Sequence, residues 1–170
     1  MKRIAVTVLI CLFILCGCAK EQTLELYIVP VDRVSESGMT EAQIGKIALE
    51  EGRLALRGED LAGVDWQRQR FAVRPEASQS VSVVTAESGG CSLLKTTDKD
   101  LFVWMLNGKA VYAGGFERGS ASVTPQRDPC IVDSERYIFE ITSLVVPDRR
   151  YDKRLYDYFH SHDLIKSELS

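Results

Sequence analysis

The sequence predicts an α+β domain: a mostly antiparallel sheet of about six strands with two short helices on one face. Three observations carry that prediction. Strand-forming runs recur between turn residues from Leu24 onward. Two of these runs, 101–106 and 109–113, flank Asn107-Gly108. That dipeptide suits a type I′ hairpin turn, in which both central residues need positive φ. Only two stretches, 41–51 and the segment after Pro147, place apolar residues at helical spacing.

The elements follow in order. Leu24-Glu25-Leu26-Tyr27-Ile28-Val29 alternates and is rich in strand formers, and Pro30 ends it. Residues 35–38 are loop. Thr40-Glu41-Ala42-Gln43 is a capping box, in which the Thr hydroxyl serves the amide three residues on and the Gln reaches back. Ile44, Ile47, Ala48 and Glu51 follow at helical spacing, and Gly52 is a natural stop. The chain then reads as β. A short strand at 54–56 precedes the turn Gly58-Glu59-Asp60; residues 61–66 are extended, and 67–74 alternate until Pro75. After a loop at 76–79, a strand spans 81–85 and Ser88-Gly89-Gly90 turns the chain. Past the Asn107-Gly108 hairpin, Gly114-Gly115 ends the second strand and 125–129 is loop. Ile131-Val132 and 137–146 are further strands, the latter with Tyr137, Phe139 and Ile141 on one face. Pro147-Asp148 opens the last helix, capped by Asp148, with Tyr151, Leu155, Tyr158 and Phe159 as its apolar stripe.

Composition narrows the function classes. A chain of 170 residues, 45% hydrophobic and 26% charged, has the length and balance of one globular domain, which excludes collagen, mucin and a polar disordered tail. A formal charge of −3 gives no support to a nucleic-acid binder. A single long apolar run excludes a multi-span membrane protein.

That run is at the start. Met1-Lys2-Arg3 is basic, residues 4–15 are apolar except Thr7, and Leu15-Cys16-Gly17-Cys18 follows. A basic start, an apolar core and small residues at the cut site define an export signal. The ending Leu-x-Gly-Cys resembles the lipobox of bacterial lipoproteins. The resemblance implies diacylglycerol on the thiol of Cys18, cleavage just before it, and a membrane anchor of two or three acyl chains. Two or more chains give stable attachment at about 0.8 kcal/mol per buried CH₂. On this reading residues 1–17 are the signal peptide, 18–23 the lipidated Cys and a short tether, and 24–165 a single domain. Cleavage takes away Lys2 and Arg3, so the formal charge goes from −3 to −5. Ala19 rather than Asp follows Cys18, so nothing points to inner-membrane retention. The expected location is the extracytoplasmic side of the cell envelope, on the outer membrane where the cell has one.

Several stretches resemble a group of small exported bacterial lipoproteins of unknown function. They are Asp60-Leu61-Ala62-Gly63-Val64-Asp65-Trp66-Gln67-Arg68-Gln69-Arg70-Phe71, then Phe102-Val103, then Asn107-Gly108-Lys109-Ala110-Val111-Tyr112-Ala113-Gly114-Gly115-Phe116, Ser120 and Ser122, and Asp148-Arg149-Arg150-Tyr151-Asp152. The likeness breaks at Glu117, where the pattern leads to a second aromatic residue. It implies a small exported domain on a lipid anchor and assigns no activity.

With Cys18 lipidated and Cys11 and Cys16 removed, Cys91 and Cys130 remain. An even pair in an oxidising space suggests a disulfide, worth about 4 kcal/mol in the chain-entropy model; two buried thiols, or one reactive thiol, are the alternatives. No Cys-x-x-Cys is present, so a thioredoxin-type reading has no motif. His160-Ser161-His162-Asp163 lacks a further ligand for a metal, and two exposed histidines at a helix C-terminus suit the negative end of its dipole. No Gly-x-Ser-x-Gly, His-Glu-x-x-His or phosphate loop is present.

Two basic stripes stand out. Period-2 alternation over 67–74 places Arg68, Arg70 and Arg74 on one strand face, and Arg149, Arg150, Lys153 and Arg154 share one side of the last helix. Either could meet anionic headgroups or an acidic partner; the plainer reading is a solvated face, with edge arginines blocking sheet-to-sheet pairing. Trp104 and Phe116 read as core, whereas Trp66 divides between core and surface. The expectation is a lipid-anchored, non-enzymatic interaction module without cofactor or metal, held to the membrane through Cys18. Its contact surfaces would be the edge of the Asn107-Gly108 hairpin and the Arg68/Arg70/Arg74 face, used by a protein partner in the envelope. The alternatives are an envelope enzyme with Cys91 or Cys130 as thiol nucleophile, and a small-ligand carrier.

Overall fold

Eight strands, rather than about six, form one sheet in the computed structural model. The structure describes residues 22–30, 39–78, 94, 96, 100–116, 129–135, 137–143 and 149–169. The strands are β1 (Leu24–Pro30), β2 (Arg53–Arg57), β3 (Leu61–Asp65), β4 (Arg70–Val73), β5 (Asp100–Leu106), β6 (Lys109–Phe116), β7 (Cys130–Glu135) and β8 (Ile138–Thr142). The helices are α1 (Glu41–Glu51), the short α2 (Pro75–Ser78) and α3 (Lys153–Ser161). The strand expected at 81–85 lies outside the described residues, as do Cys18 and Cys91.

Strand order is β2-β1-β5-β6-β7-β8-β4-β3. Every neighbouring pair is antiparallel except β6–β7, a short parallel contact of Gly115 with Cys130 and Phe116 with Ile131. The outermost strands β2 and β3 are consecutive in the chain, joined by the 3₁₀ turn Gly58–Asp60. The sheet therefore curls until its two ends meet along the backbone. Phe71 of β4 and Trp104 of β5 lie far apart in strand order, yet their ring centroids are 5.7 Å apart across the interior. Phe71 also stacks on its cross-strand neighbour Phe139 at 5.1 Å. Aromatic pairs of this kind add to what area burial alone provides.

Alternation decides what fills each face. Leu24, Leu26 and Ile28 point into the curl, as do Phe102 and Trp104. Val29, Val103 and Met105 point the other way. β5 has no polar face, so both of its sides need cover. α1 supplies one cover, packing Ile44, Ile47 and Ala48 on Val103, Met105 and Ala110. α3 supplies the other, inserting Leu155, Tyr158 and Phe159 into the interior. The helices thus lie on opposite faces, which corrects the expectation of one shared face.

α1 starts as its sequence dictates: Thr40 Oγ1 accepts from the Gln43 amide, and Gln43 reaches back to the Thr40 amide. Gly52 ends it with φ −79°, so its role is not a left-handed stop; a Cβ there would collide with the Ala48 carbonyl. α3 is capped by Asp152, whose carboxylate accepts from the Arg154 amide. The 3₁₀ turn Arg149–Tyr151 precedes it. Tyr151 therefore stands before the helix, exposed, outside the apolar stripe expected to include it.

Three strand boundaries also differ from expectation. β6 runs through Gly114 and Gly115 instead of ending there. A Cβ on Gly114 would collide with the Pro129 carbonyl and the Phe102 ring, so this glycine admits the close approach that lets β7 begin. Tyr137 has φ +66° and forms the turn into β8, leaving Phe139 and Ile141 as the buried pair. Residues 66–69 are a hairpin turn, not strand, and β4 begins only at Arg70. At the free edge of β3, the segment 164–166 adds a parallel bridge. The Val64 amide donates to the Leu164 carbonyl (2.7 Å), and the Lys166 amide to that of Val64 (2.9 Å). This covers an edge that would otherwise offer unpaired backbone groups.

Candidate interaction surface

The pairings give the sheet two ends. At one, the chain enters β1, and Thr23 and Asn107 hold each other: the Asn107 amide donates to the Thr23 carbonyl (2.8 Å) and the Thr23 amide to Asn107 Oδ1 (3.0 Å). β3 runs away from this entrance, so the turn 66–69 lies at the opposite end. Three hydrogen bonds and one left-handed residue shape that turn. Asp65 Oδ1 accepts from the Arg68 amide (3.0 Å), and Gln69 Nε2 donates to the Trp66 carbonyl (2.8 Å). Gln69 takes φ +53° with its side chain wholly buried. The Tyr151 hydroxyl donates to the Gln67 carbonyl (2.8 Å).

Trp66 is the centre of an aromatic cluster. Its ring meets Tyr151 edge-on at 5.7 Å, Tyr156 at 5.6 Å and, on the core side, Phe159 at 5.9 Å. His160 stacks on Tyr156, and the Arg150 guanidinium lies 5.5 Å from the Tyr151 ring centre. Tyr151 is 44% exposed and Tyr156 39%, two of the three large hydrophobic residues exposed among the described ones. Sequence reasoning missed Tyr156, although it left a trace there: an aromatic residue off the Leu155/Tyr158/Phe159 stripe stands on the polar side of the helix.

The arginines expected on one face are divided. Arg68 sits in the turn beside Trp66, its NH1 3.4 Å from Asp65 Oδ2, with the arginine largely exposed and the aspartate buried. Arg70 opens β4 opposite Asp65 and Glu140. Arg74 follows the other end of β4, its Nε donating to the Glu59 carbonyl (2.9 Å). Period-2 alternation puts these side chains on one face only in a continuous strand through 67–74, and the turn at 66–69 breaks that continuity. The cations of α3 are largely matched on the helix itself. Lys153 pairs with Asp157 (2.6 Å), and Arg154 forks onto Asp152 (2.9 and 2.8 Å). The Arg154 hydrogen bonds hold the Asp152 carboxyl below its ordinary range, and the same pair raises Arg154.

Cys130 is buried, with Sγ 3.0 Å from Thr142 Oγ1 on the neighbouring strand; Cys91 lies outside the described residues. His162 Nδ1 is 2.8 Å from the Tyr158 carbonyl oxygen, and its ring stacks on Tyr158 at 4.0 Å, closing the C-terminus of α3. No cluster of three metal-ligating side chains occurs among the described residues. The β5 side of the hairpin is taken up by β1, whereas β7 meets the β6 side only at Gly115 and Phe116. A cleft of about 410 Å³ opens at the entrance end between Thr23, Arg57, Arg74 and His162. Its cations are offset by Glu25 and Glu59 in the same wall.

The chain matches no protein-family model, no curated protein and no solved structure. Among the described residues, no helix is long and apolar enough to cross a membrane.

Proposed function

We propose that this chain is a lipid-anchored interaction module of the bacterial envelope that offers its Trp66 end to a protein partner. The observation that carries the reading is the exposed Tyr151 and Tyr156 flanking Trp66 beside Arg68. Trp, Tyr and Arg are the residues in which interface energy concentrates. Their rings are held in place by the core and by backbone hydrogen bonds, so little side-chain freedom is lost on contact. The sequence supports the orientation. Cys18 stands six residues before β1, a reach of at most about 20 Å. A lipid on Cys18 keeps the entrance end at the bilayer and turns the Trp66 end toward the envelope space.

Two measurements test this. Intact mass of the membrane-purified protein should equal residues 18–170 plus two or three acyl chains, and Cys18→Ala should lose them. A photo-crosslinking residue at position 156 should give one discrete adduct in cells, and the same residue at Glu59, exposed at the entrance end, should not. Equal, diffuse labelling from both positions would refute the surface. An unprocessed mass would refute the anchor independently.

A further inference from the structure

A groove of about 470 Å³ runs between α1 and the strand that leaves the Asn107-Gly108 turn, within the usual range of about 300–1,000 Å³ for ligand pockets. Its α1 wall is one side of the helix, from Glu41 through Gly45 to Leu49. Gly45 lets helix and strand close at the floor: a Cβ there would lie 3.3 Å from the Ala110 Cβ. Leu49, on the rim, is 52% exposed, the most exposed large hydrophobic residue described.

Of the charged residues that line the groove, Lys46, Lys109 and Arg154 are cations and Glu41 is the one carboxylate. Arg154 closes one end, but its guanidinium is committed to Asp152 and reaches Glu41 at 3.6 Å. Lys46 meets Glu50 at 3.9 Å, its one ion pair among the described residues, with both side chains well exposed. Such a pair holds its partners weakly. Lys109, on the opposite wall, makes no ion pair among the described residues. Lys46 and Lys109 thus both line a groove whose other lining includes Ala42, Gly45, Leu49 and Ala110. We infer that this groove binds a short acidic segment of a partner protein, its aliphatic side chains on Leu49 and Ala42 and its carboxylates toward Lys46 and Lys109. Complementary charge sets both partner choice and approach rate at such a surface. The inference needs neither the anchor nor the Trp66 end.

The test uses the purified full chain, kept in detergent and immobilised, with a randomised hexapeptide library as probe. Wild type should enrich Asp and Glu over Lys and Arg by about threefold or more, together with Leu, Ile or Val. Lys46→Glu with Lys109→Glu should invert the charge preference, and Leu49→Ser should lose the aliphatic one. All three side chains are exposed, so melting temperatures should stay with wild type. Arg68→Glu with Tyr156→Ala should keep the acidic preference, because those residues are not in the groove. No charge preference in wild type would overturn the inference, as would one that the lysine variant leaves unchanged or that the Arg68/Tyr156 variant abolishes.

Discussion

Two of the hairpins, β5–β6 and β3–β4, are built on opposite logic. The β5–β6 hairpin turns on Asn107 and Gly108, with φ +52° and +73°, and a Cβ on Gly108 would meet nothing within 4 Å. Its geometry is set by two residues and the twist of the strands. The β3–β4 hairpin has no glycine, proline or asparagine in its turn. It is held by a buried aspartate, a buried glutamine and the hydroxyl of Tyr151, 84 residues away. The first turn has residues that suit its backbone unaided, with Thr23 bonded to Asn107 from outside; the second has none and is imposed by the rest of the fold, and this imposed turn carries the exposed aromatic cluster. Binding residues often sit on connections positioned by a rigid scaffold.

That contrast can be broken at its centre. Phe71→Ala removes the ring that joins β4 to Trp104 of the other hairpin, and chemical denaturation should show a loss of about 3–5 kcal/mol. Asp65→Ala strands the Arg68 amide and empties a buried site. It should cost about 1–3 kcal/mol and alter Trp66 fluorescence, whereas Asn at 65, which keeps an acceptor, should restore much of both. Gly108→Ala meets no steric barrier, so its cost is the backbone conformation alone, about 1–2 kcal/mol with Trp66 fluorescence unchanged. Smaller still is the acid response of Asp152. Its folded-state pKa lies below the ordinary value, so the stabilisation is complete above that ordinary value and is lost as pH falls through the folded one. Arg154→Gln should move the Asp152 carboxyl resonance titration upward and shrink this acid-side loss. Arg68→Ala should lie within about 0.5 kcal/mol of wild type, because its partner contact is long and the arginine is exposed. A large loss there would mean that Asp65 depends on it.

The same contrast explains what could be read in advance. The Thr40 capping box, the Asn107-Gly108 turn and the burial of Trp104 and Phe116 were legible because their determinants lie within a few residues of each other. Residues 67–69 were misread as strand because Gln69 takes a left-handed φ only through its buried contacts. Gly114-Gly115 looked like a stop because nothing local announces that Pro129 and Phe102 will crowd Gly114. The aromatic cluster joins Trp66 to Tyr151 and Tyr156, a proximity that arises only when the sheet curls and α3 crosses it. Arg68, Arg70 and Arg74 were grouped by a periodicity that holds only inside an unbroken strand.

The β6–β7 contact is two residue pairs long, and at the opposite edges of the sheet β2 and β3 are joined by the link Gly58–Asp60. The domain is therefore two antiparallel four-stranded shells, β2-β1-β5-β6 and β7-β8-β4-β3, meeting along a seam that α3 spans. Such a seam is where cooperative opening begins, at less than the cost of global unfolding. Three linking residues limit how far the shells can part at Gly58–Asp60, to about 10 Å. Amide exchange should be fastest at the backbone bonds of Gly115 and Phe116 and slowest in the middle of β5. The shells would then breathe as two units held closest together at that three-residue link.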